Sequence, residues 1–394
     1  MIKNKERVSW GTFLIDVLIC SLGAYGGPEA HFGVFIDQLV VKKKYLTEEE
    51  LVELIALTGI LPGPSSTQSI VAIGYKVGGP KLAILTMLVW ALPVLIIMTT
   101  LSFLSKFMDS INISQDGLRF VGAMAVGFIL VASYRIGKKV ITDGITLGLF
   151  LIGAIVTYFF RNAWVFPGIL LIGGLVSVMT SKEENLWNKV SIRPPWKYFI
   201  IFLFFALGGV LLSNVTDYHL VDLFESFYRY GYLVIGGGQV VVPLMHSDLV
   251  EINQYMTNRE FLTGFGIVQG MPGPMFSFSA YAGGMAARGN GAFYQILGAM
   301  AGGIGIFLPG ILLIFFVYPI WEDLKKIKGI KISLRGITAV AGGLITTSAI
   351  ILMRSSGLEL ENIIVMAITT ALLLTKKIPA PLIVMGMLIL GFIW

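Results

Sequence analysis

Charge is what this sequence has least of. Only 13% of its 394 residues are Asp, Glu, Lys or Arg, against the ~25% usual in water-soluble domains. Hydrophobic residues make up 56%, and the mean hydropathy is +0.82. That balance excludes a soluble globular domain and reads as a membrane protein. Cysteine occurs once, as Cys20 among apolar neighbours, so no intramolecular disulfide can form and no thiol chemistry is expected. The three histidines, His31, His219 and His246, are too dispersed for a metal site. No HExxH, nucleophile elbow or Walker loop is present, so neither an enzyme nor a cofactor is expected. No basic block exceeds Lys42-Lys43-Lys44, and the net charge of +6 reads as membrane topology, not nucleic-acid binding. The apolar stretch from Phe13 reaches Gly26-Gly27-Pro28 without a small-residue cleavage site, so no cleaved signal is expected.

What is abundant is apolar sequence in runs of membrane-spanning length, around 20 residues. Nine read as uninterrupted spans: 81–104, 119–136, 143–160, 163–180, 198–213, 292–320, 333–353, 360–375 and 379–394. Four others are broken near the middle by glycine and proline: 12–40 at Gly26-Gly27-Pro28, 50–77 at Pro62-Gly63-Pro64, 222–250 at Gly236-Gly237-Gly238, and 260–287 at Pro272-Gly273-Pro274. Each reads as a broken or re-entrant helix.

The broken segments are paired. Sliding the chain by 210 residues superposes Gly26, Gly27, Tyr45, Thr47, Glu50, Pro62, Gly63, Pro64 and Ser69 on identical residues at 236, 237, 255, 257, 260, 272, 273, 274 and 279. A displacement of 216 then aligns Pro93 with Pro309, Arg119 with Arg335 and Gly127 with Gly343. This is an internal duplication. With the amino terminus inside, most of the 29 lysines and arginines fall on one face, as cytoplasmic flanks require. The 198–213 helix adds an odd crossing and delivers the second copy upside down. The expected fold is an all-α polytopic membrane protein of two inverted-topology repeats, each with two broken or re-entrant helices and about four transmembrane helices. Its parts are a first repeat at 1–180, a linker loop and inverting helix at 181–213, and a second repeat at 214–394. That is the plan of secondary transporters, with substrate held between the copies.

Each break starts a half-helix whose first amides lack intrahelical partners. Pro28 and Pro64 suit a first helical position. The donors that follow are those of Glu29, Ala30 and His31; Ser65, Ser66 and Thr67; Gln239, Val240 and Val241; and Met275, Phe276 and Ser277. With Gly26, Gly27, Pro28, Gly63, Pro64, Gly237, Gly238, Gly273 and Pro274 in the breaks themselves, these form the candidate binding site. A helix amino terminus acts as roughly half a positive charge, so four converging tips would offer about +2 without a lysine. That balances a tetrahedral dianion. Glu29, whose counterpart is the neutral Gln239, and His31 are the candidate proton-coupling groups. Simpler roles are open for several residues: a salt bridge for Asp37, interfacial anchoring for Lys76, Arg119 and Arg335, and a capping box for Thr47 and Glu50.

These residues carry a resemblance. Tyr25-Gly-Gly-Pro-Glu-Ala-His31, the lysine turn through Tyr45, Leu61-Pro-Gly-Pro-Ser-Ser66, Ile73-Gly-Tyr75, Ile235-Gly-Gly-Gly-Gln239 and Met271-Pro-Gly-Pro274 look like the chromate ion transporter family in its long, two-halved form. Departures are Tyr25 and Tyr45, where Phe and Trp are commoner, and Gly59, where a glutamine is frequent and the second copy has Gln269. The resemblance implies chromate efflux across the cytoplasmic membrane driven by an electrochemical gradient. The partners implied are a chromate or sulfate anion and membrane lipid, with a homodimer allowed. A passive anion channel, a membrane enzyme and a scaffold subunit are the rival classes. The channel uses the same half-helix physics.

Overall fold

The computed structural model describes residues 8–104, 107–108, 115–160, 165–187, 190–233 and 241–393, apart from the side chains of Glu29, Gln115 and Asp116. Among these residues the secondary structure is helical, without strands. The first copy comprises α1 (Trp10–Gly23), α2 (Pro28–Phe35, continued by a π-helix Ile36–Lys42), α3 (Glu48–Ile60), α4 (Ser65–Leu101), α5 (Val121–Val140), α6 (Gly144–Phe159) and α7 (Val165–Met179). Next comes α8 (Trp196–Val215). The second copy comprises α9 (His219–Leu233), α10 (Val242–His246, continued by a π-helix Ser247–Ile252), α11 (Asn258–Val268), a 3-10 turn Met275–Ser277 leading into α12 (Phe278–Ala286), α13 (Ala292–Val317), α14 (Trp321–Leu324), α15 (Lys328–Ser355), α16 (Leu360–Thr375) and α17 (Ala380–Ile393).

The duplication extends to backbone detail. Thr47 and Glu50 close a capping box at the start of α3, and Thr257 and Glu260 do so at α11. The preceding turns each hold one non-glycine residue in the left-handed region, Lys44 at φ 52° and Gln254 at φ 51°. Each is followed by the same bond, Tyr45 N–H to Leu39 C=O and Tyr255 N–H to Leu249 C=O, both 2.9 Å. In the Pro-Gly-Pro breaks Gly63 has φ 129° and Gly273 φ 92°, a region open to glycine and strained for other residues. The chain departs from expectation in one small respect: Pro64 and Pro274 stand as N-caps, one place before the first helical residue, and only Pro28 occupies the first position.

Equivalent helices of the two copies run antiparallel. Between α5 and α15, Ser133 Oγ meets Thr346 Oγ1 at 2.8 Å, while a Cβ on Gly342 would lie 3.0 Å from Val140 Cγ2. α4 is bent at Gly78 and Gly79 into two limbs. Its second limb opposes α13 in the same sense, with Gln295 Nε2 donating to the Ser102 carbonyl at 2.8 Å and a Cβ on Gly303 3.0 Å from Leu95 Cδ2. Numbers rise along one partner as they fall along the other, which is inversion. The copies also interlock, since α15 packs on α6 and α7. A Cβ on Gly336 would fall 1.9 Å from the Gly173 oxygen, and one on Gly343 2.1 Å from the Phe150 oxygen. Many of the 46 glycines serve such close approach.

Among the described residues five helices are long and apolar enough to cross a membrane: Ser65–Leu101, Val121–Val140, Trp196–Val215, Ala292–Leu324 and Lys328–Ser355. The spans expected at 143–160, 163–180, 360–375 and 379–394 appear as shorter apolar helices, α6, α7, α16 and α17. α8 has no buried residue. A helix apolar on all sides and open to its surroundings has lipid as its solvent.

Candidate functional site

Three of the four breaks are described, and they meet around Trp90 on the second limb of α4. The Trp90 indole N–H donates to Thr67 Oγ1 at 3.2 Å, on the first turn of α4. Its ring lies edge-on to His31 at 5.4 Å and to Phe35 at 5.4 Å, both on α2. Its carbonyl accepts from Ser21 Oγ at 2.7 Å and stands 3.6 Å from where a Cβ on Gly273 would be. One residue thus touches the helix starts behind Gly27 and Pro64 and the Pro-Gly-Pro loop of the other copy. Two bonds tighten the arrangement: His31 Nδ1 pairs with Ser66 Oγ at 2.9 Å, and Gly273 N–H donates to the Ala24 carbonyl at 2.8 Å. His31 is 2% exposed, so it is a core residue of this junction.

The local sequence explains the free donors. The first intrahelical bond of α4 is Gln68 N–H to Pro64 C=O at 2.9 Å, so the amides of Ser65, Ser66 and Thr67 precede it. α2 starts its ladder with His31 N–H to Gly27 C=O at 3.1 Å, leaving those of Glu29 and Ala30 ahead of it. In the second copy Ser277 N–H turns back to Pro274 C=O at 2.9 Å. Gly26 and Gly27, both at positive φ, form the first break with Pro28. Gly63 abuts Gly310, and Gln68 Nε2 donates to the carbonyls of Pro62 and Gly310 at 2.8 and 3.2 Å. Met275 takes a contact from Gln269 Nε2 at 3.4 Å, and Phe276 is buried. Ser277 Oγ and Ser279 Oγ are buried without a hydrogen-bond partner, as is Gln68 Oε1. Gly237, Gly238, Gln239 and Val240 lie outside the described residues, and so does the Glu29 side chain.

The same chain, 12–178 and again 221–392, matches the family model described as Chromate transporter. The chain belongs to the chromate transporter family. A Probable chromate transport protein of Synechococcus elongatus is 25% identical over 378 residues, covering 95% of this chain and 93% of that one. The Chromate transport protein of Cupriavidus metallidurans is 25% identical over 379 residues, covering 94% and 89%. An uncharacterized transporter of Methanocaldococcus jannaschii is 24% identical over 400 residues, covering 99% and 96%. No solved structure gives a significant match. As a member of this family the chain is a multi-pass membrane protein, and named transport proteins are its relatives.

In this chromate transporter family member the charged residues outside the junction are mostly paired. Asp37 bridges Lys42 at 2.6 Å, Lys76 bridges Glu50 at 3.0 Å, and Arg288 bridges Glu260, the counterpart of Glu50. Arg119 pairs with Glu361 and Arg335 with Asp143, each across the copies. Two buried clusters went unforeseen. In the first copy Asp16, 1% exposed, accepts from Tyr45 Oη at 2.6 Å and Gln38 Nε2 at 3.0 Å and bridges Lys43 at 3.0 Å. In the second, Asp248 accepts from Tyr230 Oη at 2.9 Å and lies 3.4 Å from Arg229, which also pairs with Glu225 at 2.9 Å. Asp16 was visible as the lone acid of the first apolar leg, and an intramembrane acid marks a built environment. Trp90 gave no such signal. Among the described residues no three metal-ligating side chains come together.

Proposed function

We propose that the chain is a secondary active transporter that exports chromate, a tetrahedral dianion, across the cytoplasmic membrane. The anion is held by half-helix starts at the seam between two inverted repeats, 1–180 and 214–394, joined by the 181–213 linker and helix. The observation that carries this reading is the junction at Trp90, where helix starts of one copy meet the break of the other. None of the residues touching Trp90 there, Ser21, His31, Phe35, Thr67 and Gly273, is a lysine or arginine. Three tips at roughly half a charge each supply about +1.5 from backbone alone. Such fixed dipoles replace the water an anion loses without placing a full charge in the bilayer. The relatives named for chromate transport support the choice of anion, and sulfate has the same shape and charge. Glu29 and His31 are assigned the coupling proton, and the lysine-rich face is assigned to the cytoplasm.

Purified protein in liposomes tests this. With an imposed pH gradient, chromate should accumulate beyond its equilibrium distribution, in competition with sulfate. Chromate that only equilibrates identifies a channel, and absence of uptake removes the reading. Glu29→Gln should flatten the pH response if Glu29 carries the proton.

A further inference from the structure

Inversion gives every feature at one membrane face a counterpart at the other, and the two ends of the copy–copy seam differ. At the lysine-rich end Tyr75, near the end of the first limb of α4, packs its ring on Phe315 and Tyr318 of the second copy, with centroids 5.5 and 5.0 Å apart. Beyond these rings Lys325 bridges Glu53 on α3, an ion pair across the copies, and Glu322 at 2.7 Å. At the opposite end the counterparts are Met285 for Tyr75, Thr99 for Phe315, Ser102 for Tyr318 and Thr263 for Glu53. None of these four counterpart positions carries a ring, and no carboxylate stands at the Glu53 position. Instead a cavity of about 230 Å³ opens, lined among others by Leu101, Thr257, Arg259, Thr263, Tyr281 and Met285. It has room for several waters.

We propose that these are the two portals of the oxyanion path: one shut by Tyr75, Phe315 and Tyr318 under the Glu53–Lys325 latch, the other open through the cavity beside Thr263 and Met285. The inference rests on the transporter reading and adds to it the path by which the anion reaches the junction. The physical grounds are threefold. The closing groups belong to both copies, so a relative movement of the copies breaks all of them together. Tyr75 shares the first limb of α4 with Ser66 and Thr67, so a movement that frees the rings is transmitted along one helix to the junction. The ion pair is part-exposed, at 36% and 38%, and exposed pairs and single ring contacts are weak enough to reopen in every cycle.

The test reads access to the junction, not transport. Ser66→Cys in a Cys20→Ser background, in proteoliposomes of known orientation, is treated with a membrane-impermeant maleimide from either side. Labelling is expected from the lysine-poor face and to be slow from the lysine-rich face. Tyr75→Ala combined with Lys325→Ala should make labelling from the lysine-rich face roughly tenfold faster. An unchanged rate overturns the proposal. The swap Glu53→Lys with Lys325→Glu should restore slow labelling, and a swap as open as Lys325→Glu alone overturns the latch. Should Ser66→Cys not fold, Ser277→Cys carries the same label from the other copy. Protection of the thiol by chromate is scored separately: its absence counts against the anion site while the portal result stands.

Discussion

Behind Pro64 three hydroxyls of the first copy are engaged. Ser66 pairs with His31, Thr67 receives the Trp90 indole, and Ser69 lies 2.8 Å from Thr58 Oγ1 while donating to the Ser65 carbonyl. Behind Pro274 the second copy keeps two of those hydroxyls, Ser277 for Thr67 and Ser279 for Ser69, and lacks their partners. The counterparts of His31, Trp90 and Thr58 are Val241, Ile306 and Val268, and both hydroxyls are left buried and unbonded. The same backbone therefore has two finishes. One copy's tip is locked into a scaffold; the other's presents free donors. A buried hydroxyl without a partner costs stability, and it is understandable where a ligand supplies the missing bond.

The largest effect should come from the scaffold. Trp90→Ala removes the side chain that ties α2 to the first turn of α4 and opens a cavity at a fully buried position. A loss of about 3–5 kcal/mol is expected, read as a large drop in the melting temperature of the detergent-solubilised protein, with transport abolished. Trp90→Phe separates the roles: it keeps most of the bulk and loses only the N–H to Thr67, and should cost about 1–3 kcal/mol.

The sharper contrast sets Thr67→Val against Ser277→Ala. Thr67→Val strands the buried indole N–H of Trp90 and should destabilise by about 1–3 kcal/mol. Ser277→Ala removes an orphaned hydroxyl, so the apo protein should be unchanged or slightly more stable while chromate uptake falls, by roughly tenfold if one charge-assisted bond to the anion is lost. Ser279→Ala should follow Ser277→Ala. If Ser277→Ala lowers stability as Thr67→Val does and leaves uptake alone, the two finishes are not what distinguishes the copies. The measurements are thermal unfolding and liposome uptake on the same preparations.

The features legible beforehand were local ones. Gly-Gly-Pro and Pro-Gly-Pro interrupt a helix wherever they stand, Thr-x-x-Glu closes a capping box from its own four residues, and an in-register repeat announces itself by position. So the breaks at Gly27, Gly63 and Gly273 and the cap at Thr47 appear where expected, and the cap at Thr257 repeats it in the second copy. Trp90 was not legible, because its importance comes from a helix folding back so that its ring reaches α2 and the start of α4 while its carbonyl reaches α1 and the opposite copy. Asp16 needed Tyr45 and Lys43 brought to it by the turn after the π-helix. The partners of Arg119 and Arg335 were hidden for a related reason. Each lies in the other copy, and interlocking of inverted repeats cannot be read from spacing along one chain.

Those two arginines extend the comparison to the loops. Arg335 meets Asp143, which also caps α6 by accepting from the Thr146 amide at 2.8 Å, whereas Glu361, the partner of Arg119, is not the N-cap of its helix. The Thr146 amide and hydroxyl, and then Arg335, hold the Asp143 carboxyl below the usual aspartate value of 3.8. A depressed folded value means that this group's contribution to stability is fully present above 3.8, and is lost as pH falls from there through the folded value. Asp143→Asn keeps an N-cap side chain and removes the charge. The wild-type protein should therefore melt slightly higher than Asp143→Asn at neutral pH, and the gap should close on acidification below 3.8. Both groups are exposed, so this is the smallest of the expected effects. A gap that widens as the carboxyl is protonated would mean that Asp143 is held in its neutral form and that the pair with Arg335 does not operate.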